Sequence, residues 1–404
     1  MTEIAIVGGG PGGLTAAIAL ARRGVRSTVF EREAHPEKMP RFNPDRSYPI
    51  DITGHGLKAL RHIDAVGHFD AHMVAFHGIK NGGRVFDPWS EPGWIGSRGD
   101  IMRALMPVAE DRHSDQIEFV FDSDVRTLDV TAGEVAGRRF DLVIGADGAG
   151  SAVRTAMQQQ IEGFTVQTSS VPNHGLMLEL DRVGDQLDKH YLNGLAMSPL
   201  VLAAVIVDED QPDGVRWRSV IGVKRPITFS SPEEATAWLR KHCPRALDLT
   251  SEQKIAEFSR RPAVPLGLGL SCSHLYGGRA VLLGDAAAAF PPVGQGGNAA
   301  LESAMVLDQC LAAGPLETAG PRYQQAWKPE ADAISWIGSQ IRYQNPWSNV
   351  RVIVASILRA NVFGQAKSST VPYSEVRRAA GWLGPLWIRT RQSVDPGPSN
   401  GPRS

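Results

Sequence analysis

The sequence predicts an α/β protein: a parallel sheet domain, a β-rich second domain and a helical C-terminal region. Three features point there. Residues 2–7 form a short apolar run that leads into glycines, then a helical stretch over 12–23, then a second apolar run over 27–31. Strand, glycine turn, helix and strand in that order open a parallel α/β unit. Residues 165–262 change character, with Val- and Ile-rich runs at 176–180, 201–207 and 215–223 separated by turn residues. The last stretch reads as helices carrying Trp327, Trp336, Trp347 and Trp382.

Taken in order, Gly24 ends the first helix, and a helical stretch follows near residues 55–66 among Pro40, Pro44, Pro49, Pro88 and Pro92. Residues 101–110 read as a helix, and 117–121, 125–130 and 140–144 as strands. Residues 279–284 return to a buried strand before a helix over 297–311. The expected division is a discontinuous nucleotide domain (1–70, 96–160 and 263–330), a β-rich substrate domain (71–95 and 161–262), a helical region (331–391) and a disordered tail (392–404).

Composition removes several classes of function. The 404 residues are 42% hydrophobic and 21% charged, which excludes a disordered chain. Lys+Arg 42 against Asp+Glu 43 gives no electrostatic case for nucleic acid or an anionic membrane. Cys243, Cys272 and Cys310 are odd in number and widely spaced, so a disulfide framework and a thiolate metal site are not expected. His68 and His72 lack a third ligand, and no metal is expected. No signal peptide is expected. The apolar stretch 352–363 is broken by Arg359 and Asn361, so no membrane anchor is expected either. The protein is expected to be cytoplasmic and a monomer or homodimer.

The 42 glycines are the informative excess. Gly8, Gly10 and Gly13 fit G-x-G-x-x-G: one for the tight turn, one for close approach to a pyrophosphate, one for helix–strand packing. The phosphates would sit at the helix N-terminus beside Pro11. Glu31, 18 residues beyond Gly13, suits a ribose diol and would repel a 2′-phosphate. That combination fits FAD or NAD rather than NADP. A second strand–turn–helix carries Asp147-Gly148, where Asp147 is equally a helix cap. A third carries Gly284-Asp285, then Pro291-Pro292 and Gly294-Gln-Gly-Gly-Asn298. A strand-end carboxylate accepts hydrogen bonds from a polyol, and glycines before a helix expose N–H groups to an anion.

The three glycine sites together resemble the flavin-dependent aromatic hydroxylases, the class A FAD monooxygenases with the para-hydroxybenzoate hydroxylase fold. Within that family the pattern is most similar to the kynurenine 3-monooxygenases. Arg46-Ser47, Ser97-Arg98, Val171-Pro172 with His174-Gly175 and Glu179-Leu180 carry the likeness in the first half. Cys272-Ser-His-Leu, Asp332-Ala-Ile-Ser335 and Ser374-x-Val-Arg377 carry it toward the C-terminus. The resemblance implies non-covalent FAD, NADPH or NADH as co-substrate and O₂. It implies hydroxylation of an electron-rich amino- or hydroxy-aromatic, kynurenine- or tryptophan-like, through a flavin C4a-hydroperoxide. NAD(P)H would bind transiently at the surface of the FAD domain.

It assigns Asp285 to the ribityl chain, Asp147 to FAD and the NAD(P)H encounter, and Arg98 to FAD. The glycine turn and helix N-terminus near Gly297 and Asn298 would face the flavin pyrimidine edge, and Gly284 and Gly296 would bind the cofactor. Leu14, Arg32, Val125 and either Arg41 or Arg46 join the cofactor set. The Pro291 and Pro292 carbonyls are the candidate floor of the reacting centre, with no side-chain base identified. Substrate candidates are His72, Trp89, His190, Tyr191 and Arg216. An FAD-dependent reductase or halogenase of the same fold, or a non-catalytic flavin-binding regulator, is the alternative reading.

Overall fold

A computed structural model describes residues 2–44, 47–358 and 360–386, with only the backbone described at 86–90, 356 and 383. Strand β1 (Glu3–Val7) is buried from Ile4 onward, as expected of a strand covered on both faces. It leads into α1 (Pro11–Ala21), where ten of the 11 residues are buried, and on to β2 (Arg26–Phe30). Gly24 takes φ +73°, the left-handed conformation that lets the helix stop and the chain turn back.

A six-stranded sheet is ordered Tyr276–Gly277, Ala280–Leu282, Leu142–Gly145, β1, β2, Ile117–Val120. All its pairs are parallel except the first. The register aligns the strand ends: Val7 lies beside both Gly145 and Phe30, Gly145 beside Leu282, and Phe30 beside Val120. Five chain segments therefore leave this sheet at one edge, the carboxyl edge where open α/β sheets bind ligands.

The second large sheet has eight strands, ordered Val264–Pro265, His174–Leu180, Val215–Val223, Leu200–Val207, Tyr191–Met197, Val74–Asn81, Arg84–Gly96, Ile50–Ile52. The long hairpin of Val74–Asn81 and Arg84–Gly96 lies in a stretch whose prolines read as loops. Its register shifts near Gly78 show how it accommodates Pro88, by irregularities rather than by a clean ladder.

Residues 161–262 are also less purely β than their Val/Ile runs suggest. Helices Pro232–His242, Pro244–Asp248 and Glu252–Ser259 cover one face of the sheet. Leu176, Leu178 and Leu180 share one face of their strand, and with Ala235, Leu239, Ile255 and Phe258 they form a separate core. The sequence carried the signal for the first of these helices. Ser231 caps it, Pro232 opens it, and Glu233 and Glu234 occupy its first turn.

The expected strand over 125–130 shrinks to Leu128–Asp129, paired within a small three-stranded sheet. The chain before it is irregular because Ser123 N–H donates to the Glu31 carbonyl, drawing residues 122–127 across the end of the parallel sheet.

Helices Gly296–Ala312, Ala319–Ser339, Pro346–Ile357, Val362–Ser368 and Tyr373–Ala380 complete the described chain. They share the nucleotide domain's core: Trp327, Tyr373 and Val376 are buried with Ile4 and Leu14 in one cluster. Trp347 and Trp382, by contrast, stand in solvent. The expected tail at 392–404 lies outside the described residues. No helix among the described residues is long and apolar enough to cross a membrane.

Candidate cofactor site

The aligned strand ends open into a cleft of about 380 Å3. Every turn that leaves the parallel edge reaches it: Gly8, Gly10, Pro11 and Gly12 after β1; Glu31 and Arg32 after β2; Ser123, Asp124 and Val125; Asp147 and Gly148; Gly284 and Asp285.

The first turn is shaped by its glycines. Gly8 adopts φ +101°, and a Cβ there would press on the Ala146 carbonyl at 2.6 Å. A Cβ at Gly13 would run into the Gly8 carbonyl oxygen, so the third glycine closes the helix onto the strand and does not itself line the cleft. A Cβ at Gly10 would approach the Arg98 guanidinium at 3.2 Å.

α1 has no side-chain cap. The same is true of Gly296–Ala312, whose Gly296 and Gly297 line the opposite wall. Helices Arg98–His113, Ala152–Gln160, Pro232–His242 and Glu252–Ser259 each carry a serine cap instead. Uncapped N–H groups and the positive end of the helix dipole thus face the cleft from two sides, an arrangement suited to an elongated anion.

Four carboxylates face or border this space, and Asp124 at its rim pairs with Arg126. Glu31 accepts the Gly9 N–H at 2.7 Å on one oxygen and the Glu33 N–H at 3.0 Å on the other, which orients it and leaves lone pairs for a diol. Asp147 fills the cap role its spacing allowed: one oxygen accepts Ala152 N–H at 2.6 Å, and burial raises its carboxyl above the usual range. Asp285 is exposed to the open cleft, although protein packs around its base. Burial pushes its carboxyl up, opposed by the Arg98 charge. Tyr48 faces the same pair, and its phenol is raised by burial and then by Asp285.

Arg98 begins its helix directly after Ser97. Ser97 accepts the Asp100 N–H at 3.2 Å, and the fully buried Asp100 accepts the Ser97 N–H at 2.7 Å. This reciprocal capping box sets the direction from which Arg98 enters the cleft. Ser97→Ala is expected to cost about 1 kcal/mol through the lost cap. It should lower the melting temperature of flavin-free protein by about 1 °C, because 404 residues carry a large unfolding entropy. An unchanged melting temperature would show that the box is not needed.

Several expected site residues lie elsewhere. Leu14 is fully buried, on the side of α1 that packs into the core. Arg41 pairs with Glu209 and lies 3.8 Å from Asp100, away from the cleft lining. Arg46 lies outside the described residues. Asn298 is buried and acts as a fastener: its Oδ1 accepts Thr53 N–H at 2.9 Å and its Nδ2 donates to the Asp51 carbonyl at 3.0 Å. Pro291 is buried with its carbonyl directed at Gly338, while Pro292 is exposed; neither lines the cleft.

The substrate-side candidates are not gathered into one cavity. His72 sits near Arg41, and burial with that charge lowers its pKa. His190 donates its Nδ1–H to the Ala75 carbonyl and lines a different cleft of about 530 Å3. Tyr191 lies under Lys80 Nζ, 4.2 Å from its ring centre. Arg216 is held by Glu179 and Asp208, both at 2.6 Å, and covers the Phe42 ring. The Trp89 side chain is outside the described atoms. No group of three or more His, Cys, Asp or Glu among the described residues could hold a metal.

Residues missed in the sequence include Tyr48, Gly12, Ser123, Asp124 and Gly150. Ser123 and Asp124 follow a strand of the parallel sheet, and the strand-end rule would have found them. Tyr48 has no comparable signal, because it comes from a proline-rich loop whose course is set by tertiary packing.

A cleft lined by strand-end carboxylates and two uncapped helix N-termini is the site of a dinucleotide-binding flavoprotein. The sequence profile of the family described as FAD binding domain matches residues 121–338, more than half the chain. This protein belongs to that family. A profile described as NAD(P)-binding Rossmann-like domain matches residues 6–69. Among curated relatives, kynurenine 3-monooxygenase of Salinispora tropica is 28% identical over 82% of this chain and 78% of its own. The enzyme of that name from Stenotrophomonas maltophilia is 29% identical over 82% and 77%.

Among solved structures, the tetrameric form of 2-methyl-3-hydroxypyridine-5-carboxylic acid oxygenase superposes with TM-score 0.66 and 19% identity, covering 96% of this chain and 99% of that one. Pseudomonas aeruginosa PqsL in complex with 2-aminobenzoylacetate superposes with TM-score 0.65 and 19% identity, covering 87% and 99%. The protein is an enzyme of the flavoprotein monooxygenase class with the aromatic hydroxylase fold.

Proposed function

We propose that this chain uses FAD and NAD(P)H to hydroxylate a small electron-rich aromatic, with an amino-aryl carbonyl compound such as kynurenine as the first candidate. The observation that carries this reading is the convergence of five strand-end turns and two uncapped helix N-termini on one cleft. The relatives' names supply the reaction class. Two of them name or hold compounds with an amino group beside an aryl carbonyl, which is why that chemistry leads.

In this reading the α1 N-terminus and the Gly10 backbone hold the pyrophosphate. Glu31 takes the adenosine ribose diol, and Asp285 takes the ribityl hydroxyls. Arg98 lies over the Gly10 turn and balances the charge of Asp285. Gly296 and Gly297 present N–H groups to the pyrimidine edge, where negative charge collects on reduction. Bound FAD would supply electron transfer from NAD(P)H and the activation of O₂. The protein would bind, orient and exclude water. With the domain division at 70, 96, 160 and 263, the eight-stranded sheet would cover the flavin, although its strand Ile50–Ile52 comes from the first segment. A cytoplasmic location fits Cys243, Cys272 and Cys310, which are buried free thiols; burial pushes Cys243 up to about 12 and Cys272 to about 11.

The test is NAD(P)H oxidation by purified, FAD-loaded protein against a panel of amino- and hydroxy-aromatics, read together with product mass. Stimulated consumption with one oxygen atom added to a panel member is expected. Protein that holds no flavin, or flavoprotein that never adds oxygen to any substrate, rejects the reading. Bound flavin with no stimulated NAD(P)H oxidation would identify the regulator alternative.

A further inference from the structure

Strand Ile50–Ile52 and the turn before helix Gly296–Ala312 build one wall of the cofactor cleft, where Ile50, Gly296 and Gly297 stand. Ile50 and Ile52 lie against Gly297, so a Cβ there would meet the Ile50 side chain at 3.1 Å. Side chains alternate along a strand, and Asp51 therefore points the other way, behind the wall. It is buried, and its Oδ2 has no hydrogen-bond partner among the described residues. A bare carboxylate is costly to bury. In this place it also sets negative charge behind the N–H groups that face the cleft.

The counter-charge comes from 316 residues later in the chain. Lys367, in helix Val362–Ser368, places its Nζ 2.9 Å from Asp51 Oδ1, and each side chain is only 9% exposed. The pair lies flat on the turn: a Cβ at Gly294 would collide with Lys367 Nζ and stand 3.1 Å from Asp51 Oδ1. The next helix, Tyr373–Ala380, makes a second approach. The fully buried Tyr373 donates its hydroxyl to Gln295 Oε1 at 2.9 Å. Of these two contacts from the C-terminal helices, only that of Lys367 carries charge.

We infer that Lys367 is a positioning residue for the flavin: its ammonium cancels the Asp51 carboxylate behind the Gly294–Gly297 turn and leaves the field of the turn positive toward the pyrimidine edge. The inference rests on the reading that this wall takes that edge of FAD. Reduction adds negative charge there. A buried charge close behind the wall therefore acts unequally on the two redox states. A pair that only held the turn in shape would not distinguish the loss of its cation from the loss of its anion.

The test is the midpoint potential of bound FAD, read by equilibrium reduction against a reference dye at about pH 6, which favours the protonated ammonium. The deciding comparison is Asp51→Asn against Asp51→Asn with Lys367→Met. Neither leaves a bare buried carboxylate, and the two differ only at residue 367. Loss of the ammonium should reduce affinity for reduced relative to oxidised flavin about tenfold or more. For a two-electron couple that is a potential lower by about 30 mV or more. Asp51→Asn alone should lie above the parent, Lys367→Met alone below it, and the double variant should return toward the parent. Flavin-free Lys367→Met should also melt below the double variant, because it alone strands a buried carboxylate. If Lys367→Met fails to fold, the first comparison still decides. Equal potentials in Asp51→Asn and the double variant overturn the proposal, as do single variants that shift the potential in the same direction. A parent protein that binds no flavin overturns both this proposal and the reading beneath it, and that failure is seen before any variant is compared.

Discussion

Gly13→Ala is expected to be among the most damaging single-methyl changes in the molecule. The added Cβ would fall inside the van der Waals radius of the Gly8 carbonyl oxygen and 3.1 Å from its carbon, and these are backbone atoms that no rotamer change can move aside. Relief requires α1 to move off β1, yet both are buried at the centre of the larger core. The cost is about 3–5 kcal/mol, the range of severe packing errors. The variant should lose soluble expression, or emerge flavin-free with a greatly lowered melting temperature.

Gly10→Ala is the control one turn away. There the new methyl meets the Arg98 guanidinium, the far end of a flexible side chain. That variant should fold normally and lose flavin affinity instead. Comparable melting temperatures for parent and Gly13→Ala proteins would overturn the close-packing argument.

Removing the Asp285 carboxylate is expected to weaken FAD binding roughly 10- to 150-fold, the equivalent of the ~1.5–3 kcal/mol associated with a charged hydrogen bond. Fluorescence quenching of FAD titrated into flavin-free Asp285→Ala protein measures this directly. An unchanged dissociation constant rejects the ribityl assignment.

The same residue predicts an opposite effect on stability. Burial raises the Asp285 carboxyl in the folded, flavin-free protein. An acid raised in this way contributes stability that is fully present below its unfolded pKa and lost as pH rises through its folded pKa. At neutral pH the ionised form is therefore a burden, though a small one, because the carboxylate is exposed to water in the open cleft. Flavin-free Asp285→Asn should melt above the parent at neutral pH, and the difference should close as pH falls into the ordinary carboxylate range near about 3.9. Because Asp100 and Asp147 are raised too, while Glu118 and Asp188 are lowered, the comparison is between variant and parent rather than along one profile. A variant that is less stable than the parent at neutral pH would mean that Asp285 braces the empty cleft.

Most of the site's backbone was legible in the sequence, because it depends on local chemistry. A turn that needs φ +101° at Gly8, or close helix approach at Gly13, admits essentially one residue type, so the requirement is written in the letters. Glu31, Asp147 and Asp285 were legible for a related reason: each follows an apolar run at a strand end. Arg98 followed only from the family resemblance of the Ser97-Arg98 pair.

What failed did so where the direction of a side chain depends on distant partners. Asn298 stands at the right turn, yet its amide is taken by Thr53 and Asp51, some 245 residues earlier in the chain. Arg41 is drawn off by Glu209, and Arg216 by Glu179 and Asp208. The Pro291 carbonyl faces a helix that arrives about 45 residues later. The hairpin over 74–96 was obscured because its prolines read as breakers until a long, irregular edge pairing accommodated them.

By itself, then, the sequence determined the α/β class, the glycine cradle and the carboxylates at the strand ends. These follow from backbone sterics and from hydrophobic periodicity, which act over a few residues. Only the tertiary structure decided which polar side chains reach the cleft and which serve as fasteners. It also decided that the last helices would share the nucleotide core and yet leave one apolar face in water. Those outcomes depend on hydrogen bonds, ion pairs and packing between segments hundreds of residues apart, and no local pattern encodes which partner a side chain will meet.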